Sequence, residues 1–199
     1  MIFRLGLTGS IGMGKSTTGK MFVERGHPLW DADEAVHRLY SKGGAAVQRV
    51  SEAFPAALND GAIDRAALKA ALAADPDGFS RLETIVHPLV AADRKAFIAR
   101  AENDGARIAV LDIPLLFETG AEKQLDGVAV VSTDAKTQKA RVLARPGMTA
   151  ETFEMILSRQ MPDAEKRVRA DWVIPSDTLE SARRAVDAIC SEILEGQNA

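Results

Sequence analysis

Hydrophobic positions along the chain follow two periods. Near-continuous apolar runs at residues 2–7 (broken only by Arg4), 107–118 (interrupted by Asp112), 127–132 and 170–174 predict strands buried on both faces. A shorter run through Leu29 and Trp30, closed by Asp31-Ala32-Asp33, predicts one more. Apolar residues recurring at three and four predict helices over residues 17–25, 34–40, 45–54, 65–74, 78–86, 89–101 and 178–194. Strands alternating with helices imply an α/β fold with a five-stranded parallel sheet flanked by helices. The mostly helical block at about 34–104 is too long for a single crossover and reads as a helical substrate-binding insertion. In it, His87 is expected to precede a helix that Pro88 opens. One domain is expected, with core segments 1–33, 105–134 and 170–199 and a helical lid at about 135–169.

The first strand runs into Gly9-Ser10-Ile11-Gly12-Met13-Gly14-Lys15-Ser16-Thr17. This is G-x-x-x-x-G-K-S between a strand and a helix, the context that makes the pattern a phosphate-binding P-loop and the chain a P-loop NTPase. Glycines 9, 12 and 14 let the backbone curl so that N–H groups converge on phosphate oxygens, and the helix N-terminus adds its dipole. Lys15 is expected to reach the outer phosphates of the ligand and the Ser16 hydroxyl to take a place on Mg²⁺.

Carboxylates end the second and third strands. Beside a P-loop, Asp31 or Asp33 can orient an acceptor hydroxyl or accept its proton, or can cap the helix that follows; one of them could do each job. Asp33 is the candidate catalyst. Asp112 sits where a Walker B acid would support Mg²⁺, directly or through water. A lone histidine such as His87 is more often structural than a ligand, although a loop position would keep a substrate contact open. Trp30, Tyr40, Phe54 and Phe79 are expected in the core. Residues 135–170 carry eight Lys or Arg against four Asp or Glu. Either this is a solvated helical face, or a lid broken at Arg145-Pro146-Gly147 brings Arg141 and Arg145 over the phosphates.

Composition narrows the class. The chain of 199 residues is 46% hydrophobic and 27% charged, with a net charge of −3, which suits one globular enzyme domain and gives no reason to expect nucleic acid or an acidic membrane as partner. No stretch approaches a membrane span, and the first strand begins at once, so no signal peptide and a cytoplasmic location are expected. The single cysteine, Cys190, lies on the periodic face of the last helix and is expected to be a buried thiol.

Taken together, the P-loop, Asp31-Ala32-Asp33, Asp60-Gly61-Ala62-Ile63-Asp64-Arg65, Leu82-Glu83-Thr84-Ile85-Val86-His87-Pro88, Asp112-Ile113-Pro114-Leu115-Leu116-Phe117-Glu118, Arg159-Gln160 and Ala170-Asp171-Trp172-Val173-Ile174 resemble the dephospho-CoA kinases. The resemblance spans nearly the whole chain. It implies transfer of the ATP γ-phosphate to the ribose 3′-hydroxyl of dephospho-CoA, the last step of coenzyme A synthesis, by a monomer or small homo-oligomer. By position it implies that Asp33 acts on the hydroxyl, that Gly12 to Thr17 hold ATP, that His87, Pro114, Leu115, Leu116 and Glu118 belong to the acceptor site, and that Arg145 is the lid arginine. Pro175-Ser176-Asp177 departs from the Asn and Gly expected after the fifth strand, near the ATP base. Two other readings are compatible with a P-loop: a kinase of the same fold with another small acceptor, and a nucleotide-dependent switch. The switch lacks support, since the chain has neither Asn-Lys-x-Asp nor Asp-x-x-Gly after its third strand.

Overall fold

The computed structural model describes residues 1–197. They form two compact units, Met1–Trp30 together with the chain from Ala101 onward, and Asp31–Arg100. In chain order the elements are β1 (Phe3–Thr8), α1 (Lys15–Glu24), β2 (Leu29–Asp31), α2 (Ala32–Tyr40), α3 (Val47–Ala53), β3 (Leu58–Asn59), β4 (Ala62–Ile63), α4 (Arg65–Ala73) and α5 (Gly78–Asn103). Then follow β5 (Ile108–Asp112), β6 (Gly127–Ser132), α6 (Ala135–Leu143), α7 (Ala150–Leu157), α8 (Asp163–Arg169), β7 (Trp172–Pro175) and α9 (Leu179–Gly196).

The first unit is built on a five-stranded parallel sheet of order β2-β5-β1-β6-β7. Every residue of β5 and β6 is buried, which explains their unbroken apolar sequence: helices cover both faces, so no position alternates to water. Leu5, Leu7, Val110, Val131 and Ile174 of the sheet share a core with Met21 and Phe22 of α1 and with Val186, Ile189 and Ile193 of α9. Thr178 starts α9 in a capping box with Ser181. The third apolar run yields a strand only as far as Asp112. Ile113 gives its N–H to the Leu7 carbonyl (3.0 Å), Pro114 has none to give, and residues 114–120 turn back on themselves. Residues 135–169 form three helices rather than two, the third beginning directly after Pro162. The expected break lies at Gly147, whose φ of 76° only glycine adopts without strain.

The second unit packs Leu39, Tyr40, Val50, Phe54, Ile63, Leu68, Leu72 and Val86 into its own core. Asp60-Gly61 makes a two-residue hairpin between β3 and β4, with φ of 46° and 77°, as the Asp-Gly pair favours. Two expectations fail here. The helices proposed on either side of Pro88 are one helix, α5, with Pro88 inside it, so His87 is a helical surface residue and not a loop residue. An interior proline costs about 3 kcal/mol, but Leu82, Ile85 and Val86 before it and Leu89 and Val90 after it pack on the same core, and a break would pull one flank away. Phe79 is 61% exposed, unlike Trp30, Tyr40 and Phe54, which are buried. Among the described residues no helix is long and apolar enough to cross a membrane.

Candidate active site

The P-loop links the carboxyl end of β1 to α1. Gly14 is the residue before α1 and holds a left-handed φ of 91°, and Gly12 holds 81°. A Cβ on Gly12 would lie 2.4 Å from the Val142 methyl, so this glycine is required by the close approach of α6 as well as by the turn. The N–H of Met13 returns to the Ser10 carbonyl (3.2 Å) and closes the curl. Ser16 and Thr17 stand exposed on the first turn of α1.

Register brings the first charged pair together. Leu7 of β1 pairs with Asp112 of β5, so Asp112 ends its strand at the base of the loop. There its carboxylate bonds the Lys15 ammonium. The Asp112 side chain is 2% exposed, so a cationic partner is what makes its ionised form tolerable. A cavity of about 290 Å³ is lined by Gly12, Gly14, Thr17, Arg141, Arg145 and Ser176. Both arginines expected over the phosphates therefore share one cavity with the phosphate loop. Arg141 donates from Nη2 to the Ser176 carbonyl (2.7 Å) and from Nη1 to the Ser176 hydroxyl (3.2 Å), while that hydroxyl donates to the Met13 carbonyl (2.6 Å). The departure Pro175-Ser176-Asp177 is thus the place where the loop after β7 grips both P-loop and arginine. A larger cavity, about 560 Å³, is lined by Asp134, Asp163 and Asp177 against Arg167. Three carboxylates with one guanidinium are a poorer host for a polyphosphate than the smaller cavity, whose charged lining is two arginines.

The acceptor-side candidates are dispersed. Asp31 is the N-cap of α2, its Oδ1 accepting from the N–H groups of Asp33 (2.8 Å) and Glu34 (3.0 Å). Asp33, on the first turn, is exposed, as is His87 on α5. Leu115 is 41% exposed and Pro114 partly so, but Leu116 is fully buried and packs beneath β1 close to Gly6. Its expected place in an acceptor surface becomes a packing role. Glu118 is occupied from within: it accepts from the Met161 N–H (2.7 Å) and pairs with the fully buried Lys166 of α8 (2.8 Å). Burial pushes the Glu118 carboxyl up, but bonds from Lys166 and Met161 outweigh it and hold the group below the usual carboxylate range. Cys190 is buried, and desolvation pushes its thiol up to about 11, the mark of an unreactive side chain.

Sequence reasoning did not single out Gln138, Gln160, Lys166 or Ser176. Gln160 was visible only as half of Arg159-Gln160, and a buried lysine in a run of charges carries no periodic signal.

A family model described as dephospho-CoA kinase matches residues 3–181. The dephospho-CoA kinase of Cereibacter sphaeroides is 55% identical over 197 residues, covering 99% of this chain and 98% of that protein. That of Ruegeria pomeroyi is 57% identical over 196 residues, covering 98% of each. Among solved structures, TT1252 from Thermus thermophilus superposes with a TM-score of 0.82 at 32% identity, covering 96% of this chain and 97% of its own. The phosphate loop, the sheet order and the sequence matched from end to end agree: the chain belongs to the dephospho-CoA kinase family and is an ATP-dependent phosphotransferase that completes coenzyme A synthesis.

Proposed function

We propose that ATP lies along the 290 Å³ cavity with its phosphates on Gly9, Gly12, Met13, Gly14, Lys15, Ser16 and Thr17, between Lys15 and the two arginines. The observation that carries this reading is the convergence of Arg141 and Arg145 on the cavity that the P-loop also lines. Lys15 exchanges Asp112 for phosphate oxygens when ATP binds, because a polyphosphate offers it more negative charge than one carboxylate. Arg145, exposed beside Gly147, neutralises charge on the transferring group, and Arg141 stays tethered to Ser176 and frames the nucleotide. Residues 135–169 act as the lid, and about 34–104 as the region that receives the CoA moiety.

Ser16 and Asp112 offer a hydroxyl and a carboxylate, hard oxygen donors at the P-loop end of the sheet, and this donor set fits Mg²⁺ bound with ATP phosphates. When bound, the ion supplies charge neutralisation on the phosphates. Asp33 receives the ribose 3′-hydroxyl: Asp31 is committed to its cap, which leaves the exposed Asp33 carboxylate as the acceptor for that proton. As a weak base it orients the hydroxyl for in-line attack as much as it deprotonates it. His87, Pro114 and Leu115 contact dephospho-CoA; Leu116 supports that stretch from below, and Glu118 anchors it to α8. The setting is cytosolic, with ATP and dephospho-CoA as substrates and a monomer or small homo-oligomer as the working form.

The test is release of ADP from ATP·Mg²⁺ by the purified protein with dephospho-CoA, AMP, CMP, dTMP or adenosine as acceptor. ADP release that requires dephospho-CoA, with CoA as product, is expected; turnover with a different acceptor defeats the substrate assignment. In the same assay Asp33→Asn is expected to lose at least about 100-fold in kcat with ATP affinity kept. Parent-like turnover removes Asp33 from its role.

A further inference from the structure

Two successive peptides of the phosphate loop, the ones that flank the Ile11 Cα, are each held by a glutamine side chain. The Ile11 N–H donates to Gln160 Oε1 (3.0 Å), and the Ile11 carbonyl accepts from Gln138 Nε2 (2.7 Å). Gln138 is on α6 and only 6% exposed; Gln160 follows α7, its own N–H bonded to the Leu157 carbonyl (3.0 Å). Ile11 has no partner-specific side-chain chemistry, so both glutamines read its backbone. The polarity is forced: an N–H requires the amide oxygen of Gln160, and a carbonyl requires the amide nitrogen of Gln138.

A planar trans peptide points its C=O and N–H in opposite directions. Fixing the Ile11 carbonyl toward α6 therefore turns the Gly12 N–H the other way, and fixing the Ile11 N–H toward Gln160 turns the Ser10 carbonyl inward, where it accepts the Met13 N–H. Gly12 lies against the same helix, with the Gln138 carbonyl 3.1 Å from where its Cβ would be. The loop has three glycines with positive or extended φ and little rigidity of its own, so an external restraint on it removes conformers that would otherwise have to be lost on binding phosphate.

We infer that Gln138 and Gln160 are positioning residues that hold the phosphate loop in its binding conformation by fixing both ends of the Ile11 peptide environment, and thereby couple the loop to the helices of residues 135–169. This deepens the proposed ATP site and rests on that reading. Neither glutamine touches ATP; each acts through the orientation of N–H groups that do.

The polarity supplies a test that a merely structural role would not pass. Gln138→Glu replaces the donor by an acceptor facing a carbonyl, whereas Gln160→Glu keeps the acceptor that Ile11 needs. Both put one negative charge beside Ile11, on neighbouring peptides, so their difference reports the direction of the hydrogen bond. Gln138→Glu and Gln160→Ala are expected to raise KM for ATP about tenfold or to lower kcat to a like degree, with KM for dephospho-CoA unchanged. Gln160→Glu is expected to recover most of what Gln160→Ala loses. Equal losses in the two Glu variants, or unchanged ATP kinetics in Gln138→Glu and Gln160→Ala, overturn the inference. Should a variant fold poorly, the parent protein decides: slow amide exchange at Ile11, with scalar coupling from its nitrogen to the Gln160 side-chain carbonyl, is expected, and fast exchange without coupling overturns it. Lys15→Ala in parallel separates the two readings, since its normal turnover would defeat the ATP site itself rather than the clamp.

Discussion

Among the described residues, the buried polar side chains are Thr8, Ser10, Thr18, Asp112, Ser132, Thr133, Gln138, Lys166 and Ser176, and all of them lie in the sheet unit. The helical unit, residues 31–100, has a core of leucine, valine, isoleucine, alanine and aromatic residues. Its polar candidates, Asp33 and His87, stand on the surface. The contrast shows how each unit supplies chemistry. The sheet unit draws hydroxyls, amides and ions inward and pairs them, as a preorganised phosphate site would require, since a misplaced polar group in a low-dielectric setting is expensive. The helical unit keeps its interior apolar and holds its candidate groups outward, where ligand contacts can form without burying a charge in the free protein.

Perturbing one member of each group sharpens the contrast. Lys15→Ala removes the charge proposed to bind the phosphates, and kcat/KM is expected to fall about 10²–10³-fold, roughly 3–4 kcal/mol of transition-state stabilisation. Steady-state kinetics checks it; normal turnover would break the reading of the sheet unit. Phe54→Ala, in the apolar core beneath Arg81, is expected to lower unfolding free energy by about 3 kcal/mol in urea titrations. A loss under about 1 kcal/mol would mean that this core does not carry the helical unit's stability.

Lys166→Met comes next. It leaves the Glu118 carboxylate without its ammonium, and about 2–3 kcal/mol of stability should go, less than a fully enclosed pair would lose because the Glu118 side chain is 17% exposed. Restoration by Lys166→Met combined with Glu118→Gln would show that the stranded charge, and not lost packing, is responsible.

The smallest effect is in pH. The Glu118 carboxyl is held below its ordinary 4.5 in the folded protein, so the unfolded chain binds its proton first. Its stabilisation is therefore complete above about pH 4.5 and is lost as pH falls through the folded value. Urea midpoints taken from about pH 6 down to about pH 3 should drop more steeply in the parent than in Lys166→Met. Parallel curves would show that Lys166 does not set this carboxyl.

Much of the sheet unit was legible in one dimension. The runs at β1, β5 and β6 are apolar because both faces of a parallel sheet are covered, and Gly12, Gly14 and Lys15 must be contiguous because one loop cradles one phosphate group. The Asp60-Gly61 hairpin was not anticipated in a block that reads as mostly helical, because strands of two residues are too short to show an alternating pattern. Pro88 misled, because local propensity favours a break that the shared core of its two flanks overrides.

The sequence by itself determined the period of the sheet strands and of most helices, the phosphate loop and the family, since these depend on neighbours within a turn or a strand and on motifs of fixed spacing. Tertiary structure alone decided the partners. Lys15 found Asp112 through the β1–β5 register, Glu118 found Lys166 some fifty residues on, and Ile11 found Gln138 of α6 and Gln160 of the turn after α7. A hydrogen bond is set by angstroms between atoms brought together by packing, and no periodicity along the chain encodes that distance.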